Sequence, residues 1–134
     1  MIRCILAGLS LAALTAAAPA TTIAGRWLTP DGSAVIAIAP CGPSLCGHIA
    51  RVIKGPPSGP AVDSNNPDPK LRTRPLVGVP ILTALVPDGD SWTGRVYDPK
   101  GGRTYRAIVA RDGAKLKVQG CIAFICKTML WTPA

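Results

Sequence analysis

Short runs of alternating apolar and polar residues, each ended by a turn signal, constrain this chain more than any other feature. Combinations of proline, glycine and aspartate that favour turns recur at 30–32, 40–44, 87–90, 98–102 and 112–113. The runs between them are too short for helices of ordinary length and suit strands. The sequence therefore predicts strands at about 23–29, 33–40, 45–53, 79–86, 91–97, 103–111, 114–120 and 126–132.

The alternation within several runs predicts a sheet with one wet face. In the run 114–120, Leu116 and Val118 fall on one face, whereas Lys115 and Lys117 fall on the other. This pattern is typical of antiparallel strands that cover a core on one side only. The fold class predicted is all-β, a single small antiparallel up-and-down barrel of about eight strands, because closure removes exposed sheet edges. A two-sheet sandwich is the alternative.

One connection, residues 54–80, is long and rich in proline, and we expect it to be mostly irregular. Within it, residues 66–72 suit a helix of one or two turns, with Asn66 as the N-cap and Pro67 at the first helical position. Long connections in compact domains are usually functional or disordered. The segment is therefore a candidate functional loop.

The N-terminus has the pattern of an export signal. Arg3 precedes an apolar run at 5–14, which is too short to span a bilayer, and Ala18-Pro19-Ala20 fits the small-x-small cleavage pattern. Residues 1–20 are predicted to be a Sec-type signal peptide and 21–134 the barrel domain, located in the periplasm or secreted. An N-terminal helix of the fold is the alternative. No later segment is long and apolar enough to be a transmembrane helix.

Four cysteines remain beyond the predicted signal peptide, namely Cys41, Cys46, Cys121 and Cys126. An even number in a small exported domain favours two disulfides over a zinc site. Cysteines five positions apart on one extended strand would be about 16 Å apart, so local pairing requires a turn between them. Gly-Pro-Ser provides one for Cys41–Cys46; Cys121–Cys126 is favoured less, since no turn residue lies between its members.

Five segments in order cover most of the chain beyond the predicted signal peptide: GRWLTPDG at 25–32, CGPSLCGHI at 41–49, DSNNPDPKLRTRPLVG at 63–78, WTGRVYDP at 92–99 and KLKVQGC at 115–121 through to Trp131. As a set they resemble a family of small secreted bacterial proteins, the domain of unknown function 2147 family. His48 stands where the family more often has arginine. The resemblance implies a lipocalin-like (calycin-type) barrel, exported, with no established activity. Binding of a small hydrophobic ligand is an expectation by analogy with that fold.

The residues offer little for catalysis. The acids are all aspartate, mostly in turns, and His48 is the single histidine. No nucleophile-elbow, zinc-protease or phosphate-loop motif occurs. We expect a protein that is not an enzyme and that uses no cofactor or metal. An unrecognised hydrolase is the least favoured class.

Two groups of residues are candidates for ligand binding. Trp27, Trp92 and Tyr105 are predicted to face inward, where they either line a cavity or form the packed core. In the long loop, Asp63, Asn66, Arg72 and Arg74 are predicted at the barrel mouth, where the arginines would grip a carboxylate or phosphate. The alternative is that Asp63 pairs with an arginine and Asn66 caps the helix, which fixes the loop.

The charge supports a second hypothesis. The chain carries a net charge of +8, and basic residues from consecutive strands share the outer face: Arg95, Arg103, Arg106, Lys115 and Lys117. Such a face suits an anionic component of the envelope better than nucleic acid, which is less expected in that compartment; an ordinary solvated face is the other explanation. The leading hypothesis is a non-enzymatic binding protein for a small lipophilic or acidic-headed ligand. The alternative is an interaction protein that uses its basic face.

Overall fold

A computed structural model describes residues 8, 10, 22–57 and 59–134. The predicted signal peptide lies outside the described residues, apart from Gly8 and Ser10. Within the described part, no helix is long and apolar enough to cross a bilayer. The strands are β1 Gly25–Leu28, β2 Ala34–Cys41, β3 Ser44–Val52, β4 Pro80–Asp88, β5 Ser91–Asp98, β6 Arg103–Asp112, β7 Lys115–Ile122 and β8 Ile125–Pro133.

The strands form a closed barrel in which each one is antiparallel to the next. β1 closes the barrel against β8 through two register pairs, Trp27 with Pro133 and Leu28 with Thr132. The predicted barrel is therefore confirmed, and the sandwich alternative is wrong. Eight alternating strands bury one face of every strand and leave a single short seam between the first and the last.

The up-and-down order divides the connections between the two ends of the barrel. One end, called here the loop end, holds 29–33, 53–79, 99–102 and 123–124. The other, called the hairpin end, holds the tight turns at 42–43, 89–90 and 113–114 together with both ends of the sheet, where β1 begins and β8 ends. The two ends therefore differ in chemistry, because only one carries the long loop.

Aliphatic side chains fill the barrel. Leu82, Leu85, Val109, Leu116 and Val118 are fully buried and belong to one continuous cluster. They come from β4, β6 and β7 and meet at the axis because alternate residues of each strand point inward. An eight-stranded barrel has an interior just wide enough for such side chains or for one small ligand.

The hairpin end is closed by a tryptophan and an arginine. Trp27 is 3% exposed, and its Nε1 donates a hydrogen bond of 2.9 Å to the Ile23 carbonyl. The Arg111 guanidinium carbon lies 5.0 Å from the centroid of the Trp27 ring, within the range of a cation–π contact. Arg111 Nη1 also donates to the Thr22 carbonyl at 3.3 Å, which ties the chain before β1 across this end.

A β-bulge in β4 interrupts the regular pairing of that strand with β5. The pairing of β4 with β5 shifts register between Thr83 and Val86, and Ala84 within the bulge has φ of 52°. Opposite it, a Cβ built on Gly94 would lie 2.5 Å from the Thr83 carbonyl oxygen. Glycine is required at position 94 because the bulged backbone occupies the space of a side chain.

Both predicted disulfides, Cys41–Cys46 and Cys121–Cys126, are confirmed. The second joins directly opposed residues of β7 and β8, and Ala123 makes the turn between them with φ of 53°. Residues 122–125 contain no glycine or proline, so the sequence did not indicate the turn that the structure shows between the two cysteines. All four cysteines within the described residues are paired, so none of these four is a free thiolate that zinc could use.

The short helix differs from the one predicted. It is a 3-10 helix, Pro69–Leu71, and its N-cap is Asp68, whose side chain accepts a hydrogen bond from the Lys70 amide. The prediction of Asn66 as N-cap is wrong. The Asn66 carbonyl oxygen Oδ1 instead accepts from the Asp68 amide at 2.8 Å, because the Asn66 side chain is buried beside Asp63 and folds an Asx turn before the helix.

Candidate ligand-binding site

The predicted loop residues meet around one buried carboxylate. Asp63 is 1% exposed and accepts hydrogen bonds from Asn66 Nδ2 at 2.8 Å and from Arg74 Nε at 3.0 Å. Arg74 Nη2 lies 2.9 Å from the same oxygen, Oδ2, and completes an ion pair. The Tyr97 hydroxyl donates to the other oxygen at 2.6 Å. The charge of Asp63 is therefore fully compensated by partners from the loop and from β5.

These contacts shift the pKa values of both partners. Burial alone would raise the pKa of Asp63, but hydrogen bonds from Tyr97, Asn66 and Arg74 favour the carboxylate and hold that pKa below its ordinary value. Burial and the hydrogen bond to Asp63 raise the pKa of Tyr97 to about 12. At neutral pH the pair therefore consists of a carboxylate and a protonated phenol.

The two arginines are placed differently from one another. Arg74 is directed at Asp63, whereas Arg72 is exposed and its Nε donates to the Asn66 carbonyl at 2.8 Å. Both guanidinium groups already have partners within the loop. The structure thus brings together Asp63, Asn66 and Arg74, adds Tyr97, and leaves Arg72 at the surface beside them.

Tyr97 is a site residue that the sequence did not single out. Tyr97 follows the buried Val96, so its side chain leaves β5 on the opposite face, and alternation gave no reason to place it near the loop. The contact with Asp63 fastens the loop to the outer side of the barrel rim. The same rim holds an ion pair between Lys100 and Asp31, which lowers the pKa of the Asp31 carboxyl and joins the turn after β5 to the turn after β1.

The predicted inward aromatic residues differ in depth. Trp27 is buried at the hairpin end, whereas Trp92 and Tyr105 are half-buried and pack against the core. Trp131, which the sequence did not assign to a site, is 3% exposed and faces inward opposite Leu116. Its Nε1 is buried without a hydrogen-bond partner in the described part of the chain. Such an orphaned donor is rare in protein interiors and requires an explanation.

Two depressions lie on the outside of the barrel. One, of about 390 Å³, lies between the proline-rich loop and the turn after β5, where Pro60, Val62, Asn65, Leu76 and Lys100 are among its lining residues. The other, of about 350 Å³, surrounds the bulge at Ala84 and Gly94 and is bordered by Arg95 and Arg106. Neither is lined by the inward aromatic residues, so each is a surface feature rather than the barrel interior.

The predicted basic residues are at the surface but do not all share one face. Arg95, Arg106 and Lys115 are exposed and Lys117 is half-buried, whereas Arg103, also exposed, has the alternation of the buried Ala107 and Val109 and begins β6 at the loop end. His48 is exposed, and its imidazole has no hydrogen bond to another described residue. The part of the chain that the structure describes holds no group of three or more histidine, cysteine or acidic residues able to bind a metal.

The closed, eight-stranded antiparallel barrel is a lipocalin-like fold. The chain belongs to the family of uncharacterized proteins conserved in bacteria, domain of unknown function 2147, whose model matches residues 25–133. A search of curated proteins finds no match. Among solved structures, the chain is similar to protein HP1028 from the human pathogen Helicobacter pylori, which belongs to the lipocalin family. The two are 23% identical with a TM-score of 0.72, over 84% of this chain and 83% of that chain, which establishes the shared fold.

Proposed function

We propose that this protein is an exported, non-enzymatic binding protein of the cell envelope that holds a small lipophilic molecule with one hydrogen-bond acceptor, such as a carbonyl or an acid. The single observation that carries the proposal is the unpartnered indole N–H of Trp131 inside an apolar barrel. Leaving a buried donor unpaired costs about 1–3 kcal/mol, and a ligand oxygen beside Nε1 would recover that free energy.

The way into the barrel runs along the seam between β1 and β8. Only Leu28 and Trp27 of β1 pair with β8, so the β8 edge beside Met129 has no strand against it in the described residues. Met129 is half-buried and packs against the core, and methionine adapts its shape readily to an incoming group. Because the core is filled, the ligand must be small and must displace such side chains as it enters.

Export is part of the same proposal. Two disulfides form and persist in an oxidising compartment, which is the environment of the periplasm and the cell exterior. The N-terminal pattern supports a signal peptide cleaved after Ala20. Intact mass of the protein recovered from an exporting host tests this directly.

The ligand is sought by native mass spectrometry of the protein purified from an exporting host, repeated after solvent extraction. We expect a stoichiometric small molecule that extraction removes. Trp131→Phe should weaken the affinity for this molecule by about tenfold, which corresponds to the loss of one hydrogen bond worth about 1.4 kcal/mol, and should therefore lower its occupancy when the ligand is limiting. Trp27→Phe is the matched control, since the Trp27 N–H already bonds to Ile23. Equal occupancy in the wild type and in Trp131→Phe would remove the support for the proposal.

A second candidate function rests on the outer surface. Exposed cations from β5, β6 and β7, namely Arg95, Arg106 and Lys115, would attract an anionic envelope polymer. Binding to lipopolysaccharide should then weaken steeply between low and moderate ionic strength, because exposed charges are screened. Binding that does not respond to salt would contradict this candidate.

A further inference from the structure

Exposed apolar side chains are concentrated at the loop end of the barrel. Phe124 is 92% exposed, and its neighbours Ile125 and Ile122 are 70% and 62% exposed. Ile53 and Val77, which lie in the long connection 53–79 at the same end, are exposed as well. Apolar side chains grouped in this way on a water-soluble surface indicate a contact with something apolar.

The apolar residues are held in place by the turn that carries them. Ile122 and Ile125 are the last register pair of the β7–β8 hairpin, and Cys121 and Cys126 are joined directly below them. Arg106 Nη2 donates to the Ala123 carbonyl at 3.1 Å, which ties the turn to β6. The hairpin tip, defined here as residues 122–125, is thus a braced projection rather than a loose loop.

The hairpin tip also stands clear of the barrel on one side. One edge of β8 pairs with β7 from Ile125 to Trp131, but β1 pairs only with residues 132 and 133, so within the described residues no strand lies against the other edge of β8 over that stretch. The tip is consequently convex and narrow. A protein partner of ordinary stability buries about 1,000 Å² or more in a complementary surface, whereas a lipid bilayer accommodates a convex apolar probe of any outline.

The charge around the hairpin tip is positive. Lys127 follows Cys126 directly, Arg106 is opposite Cys121 in the register, and neither β7 nor β8 contains an acidic residue. Basic side chains beside an inserted apolar group are attracted to the anionic head groups of a membrane surface.

We propose that the loop end docks on the surface of an anionic lipid bilayer, with Phe124 and Ile125 of the hairpin tip inserted among the head groups and acyl chains. Lys127 and Arg106 then lie at the level of the phosphates. The proposal does not depend on the interior ligand: the binding surface is outside the barrel and would act with or without one.

Vesicle sedimentation tests the proposal with protein purified from an exporting host, whose N-terminus is established by intact mass. Vesicles of equimolar phosphatidylglycerol and phosphatidylcholine are compared with phosphatidylcholine alone. We expect binding to the anionic vesicles, and at least about a tenfold weakening by Phe124→Ser, since the variant removes one large apolar group from the bilayer. Val86→Ser is the matched control because Val86 is 45% exposed but lies on β4 toward the hairpin end, and it should bind as the wild type does.

A second pair of variants tests the electrostatic part. Lys127→Gln should weaken binding to anionic vesicles several-fold, whereas Arg26→Gln, which changes an exposed cation at the hairpin end, should not. Absence of binding by the wild type, or equal losses in Phe124→Ser and Val86→Ser, would overturn the proposal. So would a dimer, detected by light scattering without lipid, that Phe124→Ser converts to a monomer, because a second copy would then cover the hairpin tip.

Discussion

The Tyr97 hydroxyl donates a hydrogen bond of 2.6 Å to Asp63, a residue 34 positions earlier in the chain. Asp63 belongs to the proline-rich loop and Tyr97 to β5, so this contact decides where the loop lies against the barrel. It also accounts for the burial of an aspartate, since Tyr97, Asn66 and Arg74 together occupy its oxygens.

Removing the phenol should loosen the loop and lower stability. Tyr97→Phe takes away a hydrogen bond to a charged group, and we expect the free energy of unfolding to fall by about 1.5–3 kcal/mol. Tyr105→Phe is the matched control, because Tyr105 is half-buried and its hydroxyl has no hydrogen bond among the described residues. Urea unfolding of both variants measures the difference, and equal losses would contradict a special role for Tyr97.

Stability should decrease in acid through Asp63. The folded pKa of Asp63 is lower than its unfolded value of about 3.9. The ionised carboxylate therefore adds to the free energy of unfolding above about pH 4, and this stabilisation is lost as the pH falls through the folded pKa. Asp63→Asn should be less stable at neutral pH and should show a smaller decrease in acid than the wild type. Asp31, whose pKa is also lowered, titrates in both proteins, so the difference between the two curves isolates Asp63.

Stability should decrease in alkali through Tyr97. The folded pKa of Tyr97, about 12, is higher than the unfolded value of about 10. The protonated phenol therefore adds to the free energy of unfolding below about pH 10, and this stabilisation is lost as the pH rises through 12. Denaturation measured across this range in the wild type and in Tyr97→Phe should give curves that converge at high pH. Parallel curves would mean that the pKa of Tyr97 is no higher in the folded state than in the unfolded state.

The disulfide Cys121–Cys126 should matter for the hairpin tip beyond its effect on folding. Replacing both cysteines with serine should cost about 2 kcal/mol of stability and weaken vesicle binding, because the tip must then be ordered on binding. The same double replacement at Cys41 and Cys46, which lie at the hairpin end, should cost similar stability and leave vesicle binding unchanged. Sedimentation of both variants with anionic vesicles distinguishes a role at the tip from a general loss of stability.

Gly94 should tolerate no side chain. Gly94→Ala places a Cβ 2.5 Å from the Thr83 carbonyl oxygen, and the strain should lower stability by about 1–3 kcal/mol. Gly55→Ala is the control, since its Cβ would meet only the Val52 side chain at an ordinary 3.9 Å. Thermal unfolding of the two variants should show a lower midpoint for Gly94→Ala alone.

The interactions that the sequence could predict are local. Alternation between neighbouring residues and turn preferences act over a few positions, so the strands, their order and the all-β class followed from the pattern. Both disulfides were predicted, but only Cys41–Cys46 had a turn signal between its members, whereas the turn between Cys121 and Cys126 is made by Ala123 in a backbone conformation that its residue type does not indicate. The N-cap of the short helix was not predicted correctly, since the burial of Asn66 beside Asp63 outweighed its local preference for a cap.

The sequence by itself determined a chain of short antiparallel strands with local disulfides and a basic surface, since these properties depend on residue type and near neighbours. Only the tertiary structure decided that Tyr97 meets Asp63, that β1 closes on β8 through two residue pairs, and that Trp131 is left with an unpaired donor. The physical reason is that these contacts join distant positions. They depend on the twist, register and packing of all the strands of the closed barrel together, and a local sequence pattern does not specify these.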